Sequence, residues 1–535
     1  SPPEEPWAGR SQLLLSTLSQ LLGLGTLWRF PYLCYHNGGG VFLTPYVVLL
    51  LLLGAPLCLL QLSLGHCPPA APLGAWHHWP LLKGIGMAML VVASLLCLYT
   101  NVLVAWALFY LGSSFQCPLP WASAATGDMG TYQGCVLQNT SQRAAVLSAS
   151  EAFWNQEVLG VTHSSGIGDP GPVRWPLALC LLAAWLLVLF CALKDIRASG
   201  KLLHFTATFP CLLSLILLIR GASLRGALGG VHFYLSSDWS RLQSAQVWSD
   251  AASQVFYSLG IGFGGLHSRA SYRQRNPNLI RDTLVITLGS FCTTFLSGFV
   301  TFSVLGHMAW RKEVPVGSVV GSGPGLAFVV YPELLSLLPG SPFWAVLFFL
   351  LLLLLGVDTS LRTIDVITSY ILEQFPALRE WRRKLLLLAA LCTSCCLLGL
   401  LQVTQGGIFW VSLLDRSSTG FGLLLVAICM CLGIAFCYGV TQFCQDISAM
   451  LCPCPPWCHH LLGYFRLCWA FLTPCTLLFT LIYTLLDFSN LSLTSGPSKE
   501  PAWASSLGVC IGLLTCLQVP LWATLALCHQ SGSLS

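Results

Sequence analysis

Long apolar runs closed by short polar breaks recur along the whole chain, at about 11–34, 41–65, 84–113, 175–193, 201–220, 248–272, 280–308, 342–374, 385–404, 408–438, 464–487 and 504–528. Each run is near the roughly 20 apolar residues that a membrane-crossing helix needs. Within them the apolar positions follow one another without alternation, as in Ala345 to Leu355. Transmembrane strands would alternate polarity over segments of about ten residues, so a β-barrel is excluded. The pattern predicts an all-α polytopic membrane protein with twelve spans, numbered here 1 to 12 in chain order.

Composition strengthens that reading. Hydrophobic residues make up 55% of the chain and charged residues 8%, whereas a soluble domain carries about 25% charged residues. Membrane lipid is therefore the expected surroundings of most of the surface. Most of the 25 cysteines lie inside apolar runs, among them Cys392, Cys395 and Cys396. They read there as small apolar residues, not as the disulfide framework of a small secreted domain. The net charge of +5 is spread over many loops with no basic stripe, so no nucleic-acid partner is expected. The segment Ser1-Pro-Pro-Glu-Glu-Pro-Trp7 has no basic n-region or cleavage site; no removable signal peptide is expected, and span 1 is left to direct insertion.

Charge also sets orientation. Lys and Arg collect at Lys194, Arg197 and Lys201, at Arg269, Arg273, Arg275 and Arg281, and at Arg379, Arg382, Arg383 and Lys384. The positive-inside rule makes these loops cytosolic. With twelve spans both termini are then cytosolic and the long segment 114–174 lies outside. Asn139-Thr-Ser, a glycosylation acceptor tripeptide, falls in that outer segment. A plasma-membrane location is expected.

Two spans carry glycine clusters, Leu22-Gly-Leu-Gly-Thr26 in span 1 and Ser258-Leu-Gly-Ile-Gly-Phe-Gly264 in span 6. Glycine weakens a helix by about 1 kcal/mol relative to Ala, so these are predicted unwinding points, near 22–26 and 258–262. They open two groups of five spans, as an inverted repeat of spans 1–5 and 6–10 requires. Small residues also serve close helix packing. Unwound backbone at mid-membrane, however, is tolerated where it lines a binding cavity, the design of a secondary transporter. The expected divisions are 1–10 as an N-terminal tail, 11–220 as the first repeat, 221–440 as the second, and 441–535 as spans 11 and 12 with a short tail.

Gly23-Leu-Gly-Thr-Leu-Trp-Arg-Phe-Pro-Tyr-Leu33 with Asn37-Gly-Gly-Gly40 resembles the first-helix signature of the neurotransmitter:sodium symporters, solute carrier family 6. Leu119-Pro-Trp121, Gln254 to Gly264, and Gly323-Pro-Gly-Leu-Ala-Phe-Val-Val-Tyr-Pro-Glu333 resemble further family segments. The resemblance is strong over residues 7 to about 440. Phe153-Trp-Asn-Gln-Glu-Val-Leu-Gly160 is similar to the neutral amino-acid and orphan branch.

The resemblance implies sodium as a coupled ion, with chloride as a further candidate, and a set of site residues. One sodium site would use the carbonyls of Ser19, Leu22 and Leu355 with the side chains of Asp358 and Thr359. A carboxylate amid leucines costs at least about 2.5 kcal/mol unless neutralised, so Asp358 reads as functional. Its alternative is an ion pair with Arg362, one turn away. The other sodium site would use the Leu21 carbonyl with Thr26, Ser258 and Ser290; Thr26 and Ser290 stand where the family has asparagines. The substrate site would comprise Gly23, Leu24, Gly25, Leu96, Thr100, Tyr257, Gly260, Phe263, Thr359 and Thr363, with Thr100 in place of a family tyrosine. Gly23 stands where the monoamine branch has an aspartate, which favours an amino-acid substrate. The chloride site would comprise Tyr46, Gln254, Ser258, Ser290 and Thr294, all hydrogen-bond donors.

An outer gate is implied between Arg29 and Asp415. At the inner gate Glu4, ahead of Trp7, replaces an arginine and faces Glu373, with Arg10 nearby. A disulfide is implied between Cys117 and Cys135. Cys452-Pro-Cys-Pro-Pro-Trp-Cys-His-His460 crowds soft ligands as a zinc site does, with juxtamembrane palmitoylation the stronger reading.

Two functions follow as expectations. The first is sodium-coupled symport of a small neutral amino acid or related zwitterion by alternating access, with no reaction catalysed. The second, motivated by Thr26, Ser290, Thr100 and Glu4 together, is a transport-weak or transport-dead relative acting as a membrane partner or trafficking subunit.

Overall fold

The computed structural model describes residues 23–66, 74, 76, 79–122, 148–194, 200–236, 238–271, 278–321, 323–451, 455–493 and 501–529. Among the described residues the secondary structure is helical, with two isolated bridges, Gly166 to Asp169 and Val173 to Thr404, as the only extended pairing. Among the described residues nine helices are long and apolar enough to cross a membrane: Gly40–Gly65, Pro80–Ser113, Trp175–Leu193, Leu279–Lys312, Ser341–Gln374, Trp381–Val403, Gly407–Met450, Pro456–Leu486 and Ala502–His529. These are spans 2, 3, 4 and 7 to 12. Span 1 is described from Gly23 onward, span 5 is Gly200–Ala222, and span 6 is two helices, Ala245–Leu259 and Gly265–Ser271. The described helices fit the expected twelve-span architecture, with span 6 broken at its middle and span 1 entering the described residues at a bend on Gly23.

Span 10 departs from expectation by continuing to Met450, well past residue 438. Span 5 is followed by a bend of 112° into the short helix Ala227–Leu235, which hydropathy merged with the loops.

The break in span 6 lies at 260–264, slightly later than predicted. Its cause is backbone chirality: Gly260, Gly262 and Gly264 have φ of 71°, 80° and 76°, a region that side-chain-bearing residues enter only with strain. Gly260 ends the first half as a left-handed cap, its N–H bonding the Tyr257 carbonyl at 3.3 Å. In span 1, Gly23 is a bend, and a π-helical turn over Gly25–Arg29 leads into the regular helix Phe30–His36. Such turns concentrate at functional sites.

The other family-like motifs have packing roles. Trp28 Nε1 donates to the Pro324 carbonyl at 2.7 Å, which ties span 1 to the segment before the helix Ala327–Ser336. Glu333 at the far end of that helix takes Arg311 at 3.0 Å and the Ser150 hydroxyl at 2.8 Å. Trp154 stacks on Phe328 with centroids 5.0 Å apart. Spans 3 and 8 approach so closely at Gly356 that a methyl group there would stand 2.5 Å from Val104 Cγ2, and Ser360 donates across the same seam to Asn101 Oδ1 at 3.0 Å.

Among the described glycines the tightest approach is glycine on glycine, where Gly230 of the short helix meets Gly306 of span 7. A methyl on Gly306 would fall 2.6 Å from the Gly226 carbonyl and 2.8 Å from Gly230 Cα, while one on Gly112 would meet nothing within 4 Å. Gly306→Ala is expected to destabilise the purified protein by about 1–3 kcal/mol through overpacking. Gly112→Ala, in an open helical position, should be neutral or stabilising. Thermal unfolding in detergent measures both.

Candidate functional site

The breaks in spans 1 and 6 face each other around a cavity of about 60 Å³, closed by spans 3 and 8. Its walls are Gly23, Leu24, Gly25 and Thr26 of span 1, Leu96 of span 3, Tyr257, Ser258, Gly260, Phe263 and Gly265 of span 6, and Thr359, Arg362 and Thr363 of span 8. Nine of the ten residues predicted for the substrate site stand in this wall. The glycines let the walls approach: a methyl on Gly25 would sit 2.9 Å from Cδ1 of the Tyr257 ring. Tyr257 in turn meets Phe263 edge-on at 6.0 Å, so the two rings flank the break.

Thr100 is the exception. It is fully buried and its hydroxyl donates back to the Leu96 carbonyl at 2.7 Å, so it is not part of the wall. The short side chain bonds its own helix, a common habit of threonine in helices. The nearest phenol in span 3 belongs to Tyr99, whose hydroxyl donates to Asp415 Oδ1 at 2.9 Å.

The predicted gate is a closed, buried ion pair. Arg29 Nε lies 3.0 Å and 3.2 Å from the two Asp415 oxygens, and both residues are 2% exposed. The rest of the guanidinium is engaged by Gln254 Oε1 at 3.2 Å, Ser253 Oγ at 2.5 Å and Thr419 Oγ1 at 2.9 Å. Asp415 also accepts from the Tyr32 hydroxyl. The guanidinium carbon stands 5.1 Å from the centre of the Tyr257 ring, so that ring separates the gate from the cavity beneath. Tyr32, Tyr99, Ser253 and Thr419 were absent from the sequence-derived gate, because hydroxyls scattered over four spans share no motif.

The predicted ion ligands fall into two groups. Thr26 and Ser258 line the cavity, and the buried Ser290 hydroxyl lies 3.4 Å from that of Ser258. Thr26 Oγ1 donates to the Gly23 carbonyl at 2.9 Å. Ser19, Leu21 and Leu22 lie outside the described residues. In span 8 the carboxylate of Asp358 is taken by Arg362, with Nη1 to Oδ2 at 2.7 Å. Arg362 Nη2 also donates to Thr359 Oγ1 at 3.0 Å, and that hydroxyl donates to the Leu355 carbonyl at 2.9 Å. The ion-pair alternative for Asp358 is therefore the one realised here, and Arg362 joins the cavity wall. Its i, i+4 spacing from Asp358 was the available signal.

Of the predicted chloride ligands, Tyr46 and Thr294 pair at 3.5 Å and Ser258 and Ser290 at 3.4 Å. Gln254 is turned elsewhere, with Nε2 donating to the Gly25 carbonyl at 3.0 Å and Oε1 accepting from Arg29. Cys135, Asn139, Glu4, Trp7, Arg10, Cys452 and Cys454 lie outside the described residues, and of the cysteine-rich segment the described part opens the helix Pro456–Leu467 with Cys458 buried and His459 and His460 exposed. Cys117 and Glu373 are both exposed.

Two outcomes follow from this geometry. Gly25→Ala should push the Tyr257 ring into the cavity and weaken ligand binding there by roughly 5- to 150-fold, the equivalent of about 1–3 kcal/mol of overpacking; equilibrium binding to purified protein reads it. Asp415→Ala should cost about 3–5 kcal/mol, because it leaves the Arg29 charge buried and unpaired. Asp415→Ala with Arg29→Leu should recover part of that loss, and thermal unfolding of the single and double variants measures it.

The model of the Sodium:neurotransmitter symporter family matches residues 4–530. The sodium- and chloride-dependent neutral and basic amino acid transporter B(0+) of Mus musculus is 38% identical over 99% of this chain and 86% of its own length. The sodium- and chloride-dependent glycine transporter 2 of Xenopus laevis is 36% identical over 96% of this chain and 68% of its own. Among solved structures, that of MhsT in complex with L-phenylalanine superposes with a TM-score of 0.71 at 20% identity, covering 90% of this chain and 99% of the other. The last shows a shared fold. A family model spanning nearly the whole chain and relatives of this identity over nearly all of it show that the chain belongs to the Sodium:neurotransmitter symporter family.

Proposed function

We propose that the chain is a secondary transporter that carries a small neutral amino acid across a membrane by alternating access, driven by sodium and dependent on chloride. The observation that carries this reading is the small cavity between the Gly23–Thr26 stretch of span 1 and the break of span 6. A cavity of about 60 Å³ favours a compact ligand. Its lining mixes apolar groups with the hydroxyls of Thr26, Ser258, Thr359 and Thr363, which suits a compact zwitterion. The relatives' names as amino-acid and glycine transporters point the same way.

In this reading sodium binds among the hydroxyls of Thr26, Ser258 and Ser290 with the Leu21 carbonyl, since a hard cation prefers oxygen ligands. Chloride is held near Tyr46, Thr294 and Ser290. The Arg29–Asp415 pair is the outer gate, closed in this conformation, and alternating access requires it to part. The protein sits in the plasma membrane with both termini cytosolic, and segment 114–174 with Asn139 faces outside, joined by a Cys117–Cys135 disulfide. No covalent chemistry is involved.

The second reading, a membrane partner without transport, is favoured by one observation: Arg362 occupies the side-chain oxygens expected to hold a cation on span 8. Uptake of radiolabelled amino acids into proteoliposomes separates the two. Glycine and alanine should accumulate under an inward sodium gradient, lose accumulation when sodium is replaced by choline, and slow when chloride is replaced by gluconate. Absence of sodium-dependent uptake across a panel of neutral amino acids would reject transport in favour of the partner role.

A further inference from the structure

Arg362 brings a permanent positive charge into the wall of the cavity. Its guanidinium takes the Asp358 carboxylate at 2.7 Å with one nitrogen and the Thr359 hydroxyl oxygen at 3.0 Å with the next. The third oxygen of this turn, the Leu355 carbonyl, accepts from the Thr359 hydroxyl at 2.9 Å. The side chain of Arg362 is 11% exposed and that of Asp358 28%. Carboxylate, hydroxyl and carbonyl within one helical turn are the oxygen set a monovalent cation would take, and all three are already committed inside the protein. A guanidinium does not lose its proton in proteins, so it leaves these oxygens only by swinging away.

We propose that Arg362 is the resident, tethered cation of the Asp358–Thr359 oxygen set, so that a free sodium ion does not bind there in this conformation and the protein couples transport to one cation fewer than a chain with a neutral side chain at 362. The inference rests on the sodium-coupled reading above for its consequence, but not for its geometry. The pair lies within a single helix, at i and i+4. Neutralising Arg362 leaves the Asp358 carboxylate without its tethered counter-ion. Arg362 then acts through charge: it satisfies Asp358 permanently, where a diffusible ion would satisfy it only when bound.

The test counts bound ²²Na⁺ per chain on the purified full-length protein in nanodiscs. Arg362→Ala should add one bound sodium, which should disappear again in Arg362→Ala/Asp358→Asn; Arg362→Lys, which keeps a tethered cation, should match the unmodified protein. Arg362→Gln serves as the neutral variant of similar reach if the alanine variant folds poorly. The rise in melting temperature from choline chloride to NaCl should be larger in the alanine or glutamine variant than in the unmodified protein. An unchanged sodium count in both neutral variants would overturn the proposal, as would loss of a bound sodium from the unmodified protein on Asp358→Asn alone. A protein that binds no sodium until Arg362 is neutralised would keep this inference and reject sodium-coupled transport. Sodium-driven uptake in which Asp358→Asn alone removes a sodium would do the reverse.

Discussion

The buried pair of Arg29 and Asp415 is the constraint around which the membrane core is arranged. Two full charges at 2% exposure are stable only when their attraction and every remaining donor and acceptor are satisfied. Arg29 meets that demand with groups from spans 6 and 10, and Asp415 with phenols from spans 1 and 3. Four spans are thereby held in one register by a single electrostatic requirement. The Tyr257 ring, lying under the guanidinium and against Gly25, inherits its position from that register. So does the cavity below it.

The cavity depends on a second, steric condition. Spans 1 and 6 must stop being regular helix near their midpoints, and in span 6 three glycines with positive φ produce the interruption within five residues. In hydrocarbon, backbone freed by such a break would be costly unless it lined a polar cavity. The hydroxyls of Thr26, Ser258, Thr359 and Thr363 supply that polar lining. Breaks and cavity therefore require each other.

The two ion pairs of the core differ in kind. Arg29–Asp415 joins different spans and is sealed by five further hydrogen-bond partners, so it holds those spans in register. Asp358–Arg362 is local to span 8 and partly exposed at its carboxylate. Its contribution to stability is smaller, since partly exposed pairs within one helix are screened.

The sequence by itself determined the number and order of the spans, because hydrocarbon demands continuous apolar helices whose lengths are visible in hydropathy. It also determined the break of span 6, because Gly260, Gly262 and Gly264 are the residues that positive φ requires, and the Arg29–Asp415 pairing followed from a motif resemblance. Most of the cavity-wall residues were legible for the same reason. Tertiary structure alone decided the fate of Thr100, whose hydroxyl turns to the Leu96 carbonyl while Tyr99 reaches the gate; adjacent helical residues differ in direction by about 100°, and which one faces a site depends on how span 3 is rotated. It likewise decided that Gln254 bridges span 1 to the gate and that Asp358 closes on Arg362. Spacing left both of those polar groups several partners within reach, and only the packing of neighbouring spans selects among competing hydrogen bonds.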